Sequence, residues 1–182
     1  MNAKIISLLF SVVFLSSCAA LTPPPYSISA DTDVALKKMS VGNIDVGEFK
    51  APENFSAMCR AVGPIAPPDN MTFQGYIRKA LADELKVAGK FDDHAPKVTL
   101  SGSVEQLKFS SSTDLVRGAW DIGLRVNSSN GKSDFVSEHY EFESGFLGGP
   151  ACQNTAAAYF PAVRALIGKL VESPQFVALA TP

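Results

Sequence analysis

The side chains with the widest chemical range in this 182-residue chain are three cysteines and two histidines. Cys18 stands directly behind Leu15-Ser16-Ser17, Cys59 lies in a proline-rich stretch, and Cys152 follows Gly148-Gly149-Pro150. His94 closes the polar run Asp92-Asp93-His94, while His139 sits among Glu138, Glu141 and Glu143 in a segment of strand-like pattern. A metal centre needs several converging ligands, and no short spacing here supplies them. Dithiol redox chemistry favours Cys-x-x-Cys, which does not occur. Neither a Gly-x-Ser-x-Gly elbow, a His-Glu-x-x-His helix nor a phosphate-cradling glycine loop is found, and Gly145 and Gly148-Gly149 read as turns. Both histidines read as surface residues, and Glu141 and Glu143 as exposed acids sharing a strand face. The expectation is therefore a non-enzymatic protein with no catalytic, cofactor or metal site; an enzyme would have to assemble its centre from residues far apart in the chain.

Cys18 has a context of its own. Lys4 precedes the apolar run from Ile5 to Leu15, and two serines follow it. A positive start, an apolar core too short to span a bilayer and small residues at the cut are the layout of a secretory signal. With the cysteine placed next, Leu15-Ser16-Ser17-Cys18 closely resembles the lipobox of bacterial lipoprotein precursors. The resemblance implies that the Cys18 thiol carries diacylglycerol, that residues 1–17 are removed, and that the new amine is acylated, with palmitate as the expected chain type. Each buried methylene contributes about 0.8 kcal/mol, so several chains on one residue hold firmly. Ala19 follows, where an aspartate would resemble the inner-membrane retention signal of enterobacteria. The expected location is the outer membrane, lipid-anchored and facing the periplasm.

Lys4 is the one charged residue lost with the signal, leaving 15 basic against 18 acidic side chains in a mature chain of 165 residues. That length suffices for one domain with a real core. The mild acidity is spread along the chain without a basic block, which speaks against nucleic acid as a partner. Cys59 and Cys152 remain after Cys18 is assigned to lipid, and an exported compartment is oxidising. One disulfide between them is expected, against the competing readings of two buried thiols or a redox pair. Closing a loop of about 93 residues stabilises the fold by roughly 4–5 kcal/mol in the chain-entropy model.

Along the mature chain, residues 18–34 carry Pro23-Pro24-Pro25 and no apolar period, and read as the lipidated N-terminus and an extended tether. A single periplasmic domain is expected over residues 35–182. Lys38 to Phe49 reads as one strand bent at Gly42-Asn43, and Ala51 to Asn70, with four prolines, as a long irregular connection pinned by Cys59. Phe73, Ile77, Ala80, Leu81, Leu85 and Ala88 recur at helical spacing, so a helix is expected from about Thr72 to Ala88, capped by Asn70 or Thr72 and ended by Gly89. Three strands follow, in Lys97–Ser110 with a bulge near Glu105-Gln106, from Trp120 to Asn127, and from Asp134 to Glu143 after the tight turn Asn130-Gly131. A second helix is expected from near Asn154 to Glu172, kinked at Pro161 or regular only beyond it.

This order, β-α-β-β-β-α, predicts an α+β two-layer sandwich: a mixed four-stranded sheet with two helices on its dry face. In element order and anchor the chain resembles small auxiliary lipoproteins of the Gram-negative envelope, among them the lipopolysaccharide-assembly lipoprotein and the lipoprotein partners of ABC-type lipid transport systems. The resemblance rests on the segment after Cys18, on TFQGYIRKALADELKVAG, on PKVTLSGSVEQLKF and GAWDIGLRVNSSNGKSDFVSEHYEF, and on TAAAYFPAVRALIGKLV. It implies a binding or accessory module for an envelope transport or assembly system, holding a partner protein or an envelope lipid, with no binding residue carried over. The alternatives are a structural envelope lipoprotein and a periplasmic enzyme. The exposed sheet edge beside the bulges, or the Cys59 loop, would be the recognition surface.

Overall fold

A computed structural model of the chain describes residues 20–182. The signal segment and Cys18 lie outside the described residues. The helix read from the 72–88 pattern is the best place to begin, because its ends follow from local chemistry. Helix α2 (Phe73–Val87) starts where the Thr72 hydroxyl accepts the Gly75 N–H at 3.1 Å, and stops before Gly89, whose φ of +69° suits glycine. Its apolar face, Ile77, Ala80, Leu81 and Leu85, is fully buried against the sheet.

The sheet is α+β in the expected sense. Strands β1 (Ile44–Lys50), β4 (Val98–Ser110), β5 (Arg117–Ser128) and β6 (Ser133–Glu143) lie in the order β1-β4-β5-β6, with β1 parallel to β4 and the others antiparallel. The β4 bulge falls between Val104 and Gln106, and it moves Leu107 onto the face that Val104 occupies. In the β5–β6 turn Gly131 takes φ +86° and Ser128 pairs with Lys132, so the connection is a three-residue loop with one left-handed position. Helix α3 (Gly148–Glu172) joins α2 on the dry face, and the Trp120 indole N–H donates to the Thr155 carbonyl at 2.8 Å to tie β5 to it.

Several boundaries differ from the sequence reading, each for a physical reason. Helix α3 begins at Gly148 rather than near Asn154 and runs through Pro161. The N–H groups of a first helical turn have no partner within the helix, so Pro150 costs nothing there. Strand β1 begins at Ile44, after Asn43 at φ +57°, and its irregularity lies between Val46 and Phe49. At that point the Phe49 ring covers Gly102, where a Cβ would lie 2.7 Å from the ring carbons. The connection 51–72 contains a two-residue hairpin, β2 (Met58–Cys59) with β3 (Gly63–Pro64), and a short 3-10 turn at Pro68–Asn70. A small helix α4 (Phe176–Leu179) buries Phe176 and Leu179 after Pro174.

The largest correction concerns the tether. Residues 21–29 belong to no helix or strand but are docked, and α1 (Ala30–Lys38) follows, capped by Ser29. Leu21 pairs with the β3 end, donating to the Pro64 carbonyl and accepting from the Ala66 N–H, both at 3.0 Å. Pro23 is buried, and Tyr26 packs edge-on against Tyr76 and Phe160. Helix α1 lies against α2 and α3 with Leu36 fully buried. The prolines therefore stiffen a strap over the helical layer; polyproline geometry exposes both backbone and side chains for such docking and need not imply a free spacer.

Candidate functional site

The long 51–72 connection is organised from its two ends and its middle. The structure joins Cys59 to Cys152 at the start of α3, and both residues are fully buried. Next to the bridge, Arg60 donates through Nε to the Ser111 hydroxyl and through Nη2 to the Ser111 carbonyl, both at 2.8 Å, and through Nη1 to the Phe146 carbonyl at 3.3 Å. Ser144 donates its backbone N–H to Val116 at 2.7 Å. One end of the domain is thus assembled from the Cys59 hairpin, the β4–β5 loop and the β6–α3 loop.

Between this connection and the first turn of α2 opens an apolar cleft of about 410 Å³. Pro52, Phe55, Ala57, Ile65, Met71 and Phe73 supply its apolar lining, with Thr72 and Gln74 as the polar groups. Its size and lining are those of a site for a small apolar ligand or an apolar segment of a partner. Behind it lies an aromatic stack: Phe55 against Phe73 at 4.9 Å, Phe73 against Tyr159 at 5.1 Å, Tyr159 against Trp120 at 4.8 Å and Trp120 against Phe109 at 4.9 Å. The Tyr159 hydroxyl donates to the Phe73 carbonyl at 3.0 Å, and burial raises its pKa well above the ordinary phenol value, so it stays a neutral donor. Of this stack Phe55 and Phe73 reach the cleft and give it an aromatic floor.

The strap runs beside the cleft, where the Ala66 N–H of its lining donates to the Leu21 carbonyl. The Tyr76 hydroxyl donates to the Pro24 carbonyl at 2.8 Å, and the Tyr26 hydroxyl and Ser29 N–H both donate to Oε1 of Glu84, at 2.7 and 2.8 Å. Glu84 is fully buried in the middle of α2, its Oε2 has no partner, and burial raises its pKa. Sequence reading missed this latch. A charged residue on a helix reads as solvated surface, and the signal available was that position 84 falls beside the apolar stripe.

The other sequence-stated groups separate. His94 is exposed in a turn that Asp92 organises by accepting the His94 and Ala95 N–H groups, both at 3.0 Å. His139 lies on the wet sheet face with Nδ1 at 2.6 Å from Asp121 and Nε2 at 3.7 Å from Glu141, and the Asp121 hydrogen bond raises its pKa. Arg117 and the Arg125–Glu105 pair extend this charged ladder. Glu138, by contrast, faces the helical side, where Lys169 pairs with it at 2.8 Å. No group of three or more metal-binding side chains occurs among the described residues, and no described helix is long and apolar enough to cross a membrane. At the β1 edge Arg78 donates to the Val46 and Gly47 carbonyls, each at 2.7 Å, which blunts that edge as a template for another strand.

No family model matches the chain, and no curated protein matches it in sequence. Among solved structures, it is similar to the protein XCC0632 of Xanthomonas campestris, of the family DUF330, with a TM-score of 0.52 at 11% identity, covering 82% of this chain and 90% of that one. A putative lipoprotein of Caulobacter crescentus aligns with a TM-score of 0.44 at 14% identity over 78% of this chain and 90% of that one. A PelC dodecamer from Paraburkholderia phytofirmans aligns with a TM-score of 0.39 at 15% identity, over 79% of this chain and 93% of that one. The Xanthomonas protein shares the fold, which hosts function without specifying it; nothing further rests on the two alignments at lower TM-score.

Proposed function

We propose that this chain is a non-enzymatic outer-membrane lipoprotein, anchored through Cys18 and facing the periplasm, that serves as an accessory binding module of an envelope transport or assembly system. The observation that carries the reading is the apolar cleft between the 51–72 connection and α2, floored by the aromatic stack and flanked by the strap that leads back towards Cys18. Its occupant is an apolar segment of an envelope protein partner, held by burial of side chains in the cleft and oriented by Thr72 and Gln74 at the rim.

Photocrosslinking in native cells from a benzophenone side chain at Gln74 tests this. The same envelope protein should be captured reproducibly from that position, lost when Ala57→Phe fills the cleft, and absent when the crosslinker replaces Lys108 on the wet face. Capture that ignores Ala57→Phe, or that is equal from Lys108, refutes the cleft as the site. Recovery of acyl lipid in place of protein replaces the accessory reading with that of a lipid carrier.

A further inference from the structure

We infer that the loop end of the domain around the Cys59 hairpin docks against the lipid surface, so that the protein lies on the membrane and does not stand off from it. The inference rests on the proposed lipidation of Cys18 and adds where the folded domain sits.

Large apolar side chains are exposed at few places among the described residues, and six of the ten lie on the three loops of one end. These are Met58 and Val62 on the hairpin, Leu115 and Val116 between β4 and β5, and Phe146 and Leu147 before α3. Phe146 and Leu115 are 73% and 74% exposed. The loops are neighbours: Arg60 joins the hairpin to Ser111 and Phe146, Ser144 bonds Val116, and a Cβ on Gly148 would lie 3.4 Å from the Val62 side chain. Their backbones are held by these bonds while the side chains point away from the core. A contiguous apolar patch of this kind marks an interaction surface.

The chain itself indicates the occupant. Leu21 is fastened to Pro64, in the second strand of the hairpin that carries Met58 and Val62, and to Ala66 just beyond it. Three residue steps separate Leu21 from Cys18, and an extended chain covers at most about 3.6 Å per residue. A lipid on Cys18 thus holds Leu21 within roughly 11 Å of the acylated residue, which brings the apolar end of the domain to the membrane interface. Two of the charged groups at this end are already engaged, Arg60 donating to Ser111 and Phe146 and Arg117 pairing with Asp114 at 2.6 Å, while Glu143 at the end of β6 is exposed. The hydrogen bonds of Arg60 and the Arg117–Asp114 pair lower the desolvation cost of contact with lipid, and Glu143 has to keep its carboxylate in the hydrated headgroup layer. Apolar side chains on a structured surface reach about 5–10 Å into the headgroup and acyl boundary, the depth available to Leu115 and Phe146.

The test uses the lipidated mature protein, purified from membranes and reconstituted into phosphatidylethanolamine–phosphatidylglycerol vesicles whose acyl chains are brominated near the carbonyls. Phe146→Trp and Leu115→Trp report on the patch. Val177→Trp on α4 reports on the opposite end, some 40 Å away along a twelve-residue strand. Trp120 is buried in the core and gives a constant background. Bromine should remove most of the added fluorescence of the Phe146 and Leu115 variants and leave that of the Val177 variant unchanged. If the protein floats with the vesicles while all three variants are quenched equally weakly, the docking inference is overturned and the anchor stands. If that result comes with concentration-dependent crosslinks between copies through the patch, the face is a self-interface and the inference is likewise overturned. Failure to float removes the anchor reading, and the docking inference with it.

Discussion

The Glu84 latch is the most demanding consequence of the structure, because it makes a residue that reads as surface responsible for the N-terminal strap. Replacing Glu84 with Ala removes the acceptor of the Tyr26 hydroxyl and the Ser29 N–H. Hydrogen bonds to a charged group contribute about 1.5–3 kcal/mol each, so the two sum to about 3–6 kcal/mol; because the substitution also removes the buried, unpartnered Oε2, the net loss lies near the lower end, about 3 kcal/mol, equivalent to a Tm lower by roughly 6–12 °C for a domain of this size. The loss is local first: Tyr26 and Ser29 leave α2 while the sheet remains. Chymotryptic cleavage at Tyr26 under limited proteolysis should therefore accelerate by about two orders of magnitude, since 1.4 kcal/mol of opening free energy is a factor of ten. Glu84→Gln keeps an oxygen in the Oε1 position and should retain the latch. It also isolates the pH effect. Because burial raises the Glu84 pKa, the folded state holds the proton more tightly than the unfolded chain. Wild-type stability relative to Glu84→Gln should then be greatest below the ordinary carboxylate pKa of about 4.3 and decline as pH rises through the raised folded value. Strap cleavage in Glu84→Ala at the wild-type rate, or a wild-type to Gln difference that grows with pH, would refute the reasoning.

Removing the disulfide as Cys59→Ala with Cys152→Ala should destabilise the fold by about 4–5 kcal/mol for a separation of 93 residues, measured by urea unfolding. A change below about 1 kcal/mol would mean that the Arg60 bonds and the aromatic stack hold the connection without it. In an NMR titration His139 should lose its proton above the ordinary histidine value of about 6.5 and return towards it in Asp121→Asn, because the Asp121 carboxylate favours the charged ring. The linked stability, small on this exposed face, is present below the unfolded pKa and disappears as pH rises through the folded one. Gly102→Val should cost about 1–3 kcal/mol in thermal unfolding by driving the new side chain into the Phe49 ring, and Phe49→Ala should relieve that clash in the double variant. Ile77→Asp should unfold the domain through an unpaired buried charge; an unchanged Tm would mean that the α2 face has been misread.

The parts of the fold that were readable are those where periodicity and capping agree. In α2 the apolar spacing, the Thr72 cap and Gly89 all point to the same ends, and in β4 the change of parity after Val104 marks the bulge. Helix α1 was not readable, because Ala30–Lys38 is polar and short and gains its place from Ser29, Thr32 and Leu36 packing on helices distant in sequence. The strap failed for a related reason: Pro23-Pro24-Pro25 signals extended backbone, which is common to a spacer and to a docked segment. Of the candidate site, the 51–72 connection and Cys59 were legible as a long, pinned loop. The aromatic stack behind it draws Phe55, Phe73, Phe109, Trp120 and Tyr159 from five separate segments, and no local pattern unites them.

The account depends most on Cys18, and intact-mass and peptide mass spectrometry of the membrane-extracted protein tests it most directly. The mature N-terminal peptide should begin at Cys18 and carry diacylglycerol on the thiol with an acylated amine. A Cys18→Ser variant should incorporate no labelled palmitate. An N-terminus elsewhere in the chain, or a Cys18 peptide bearing a free thiol, would contradict the anchor and the membrane-facing orientation built on it.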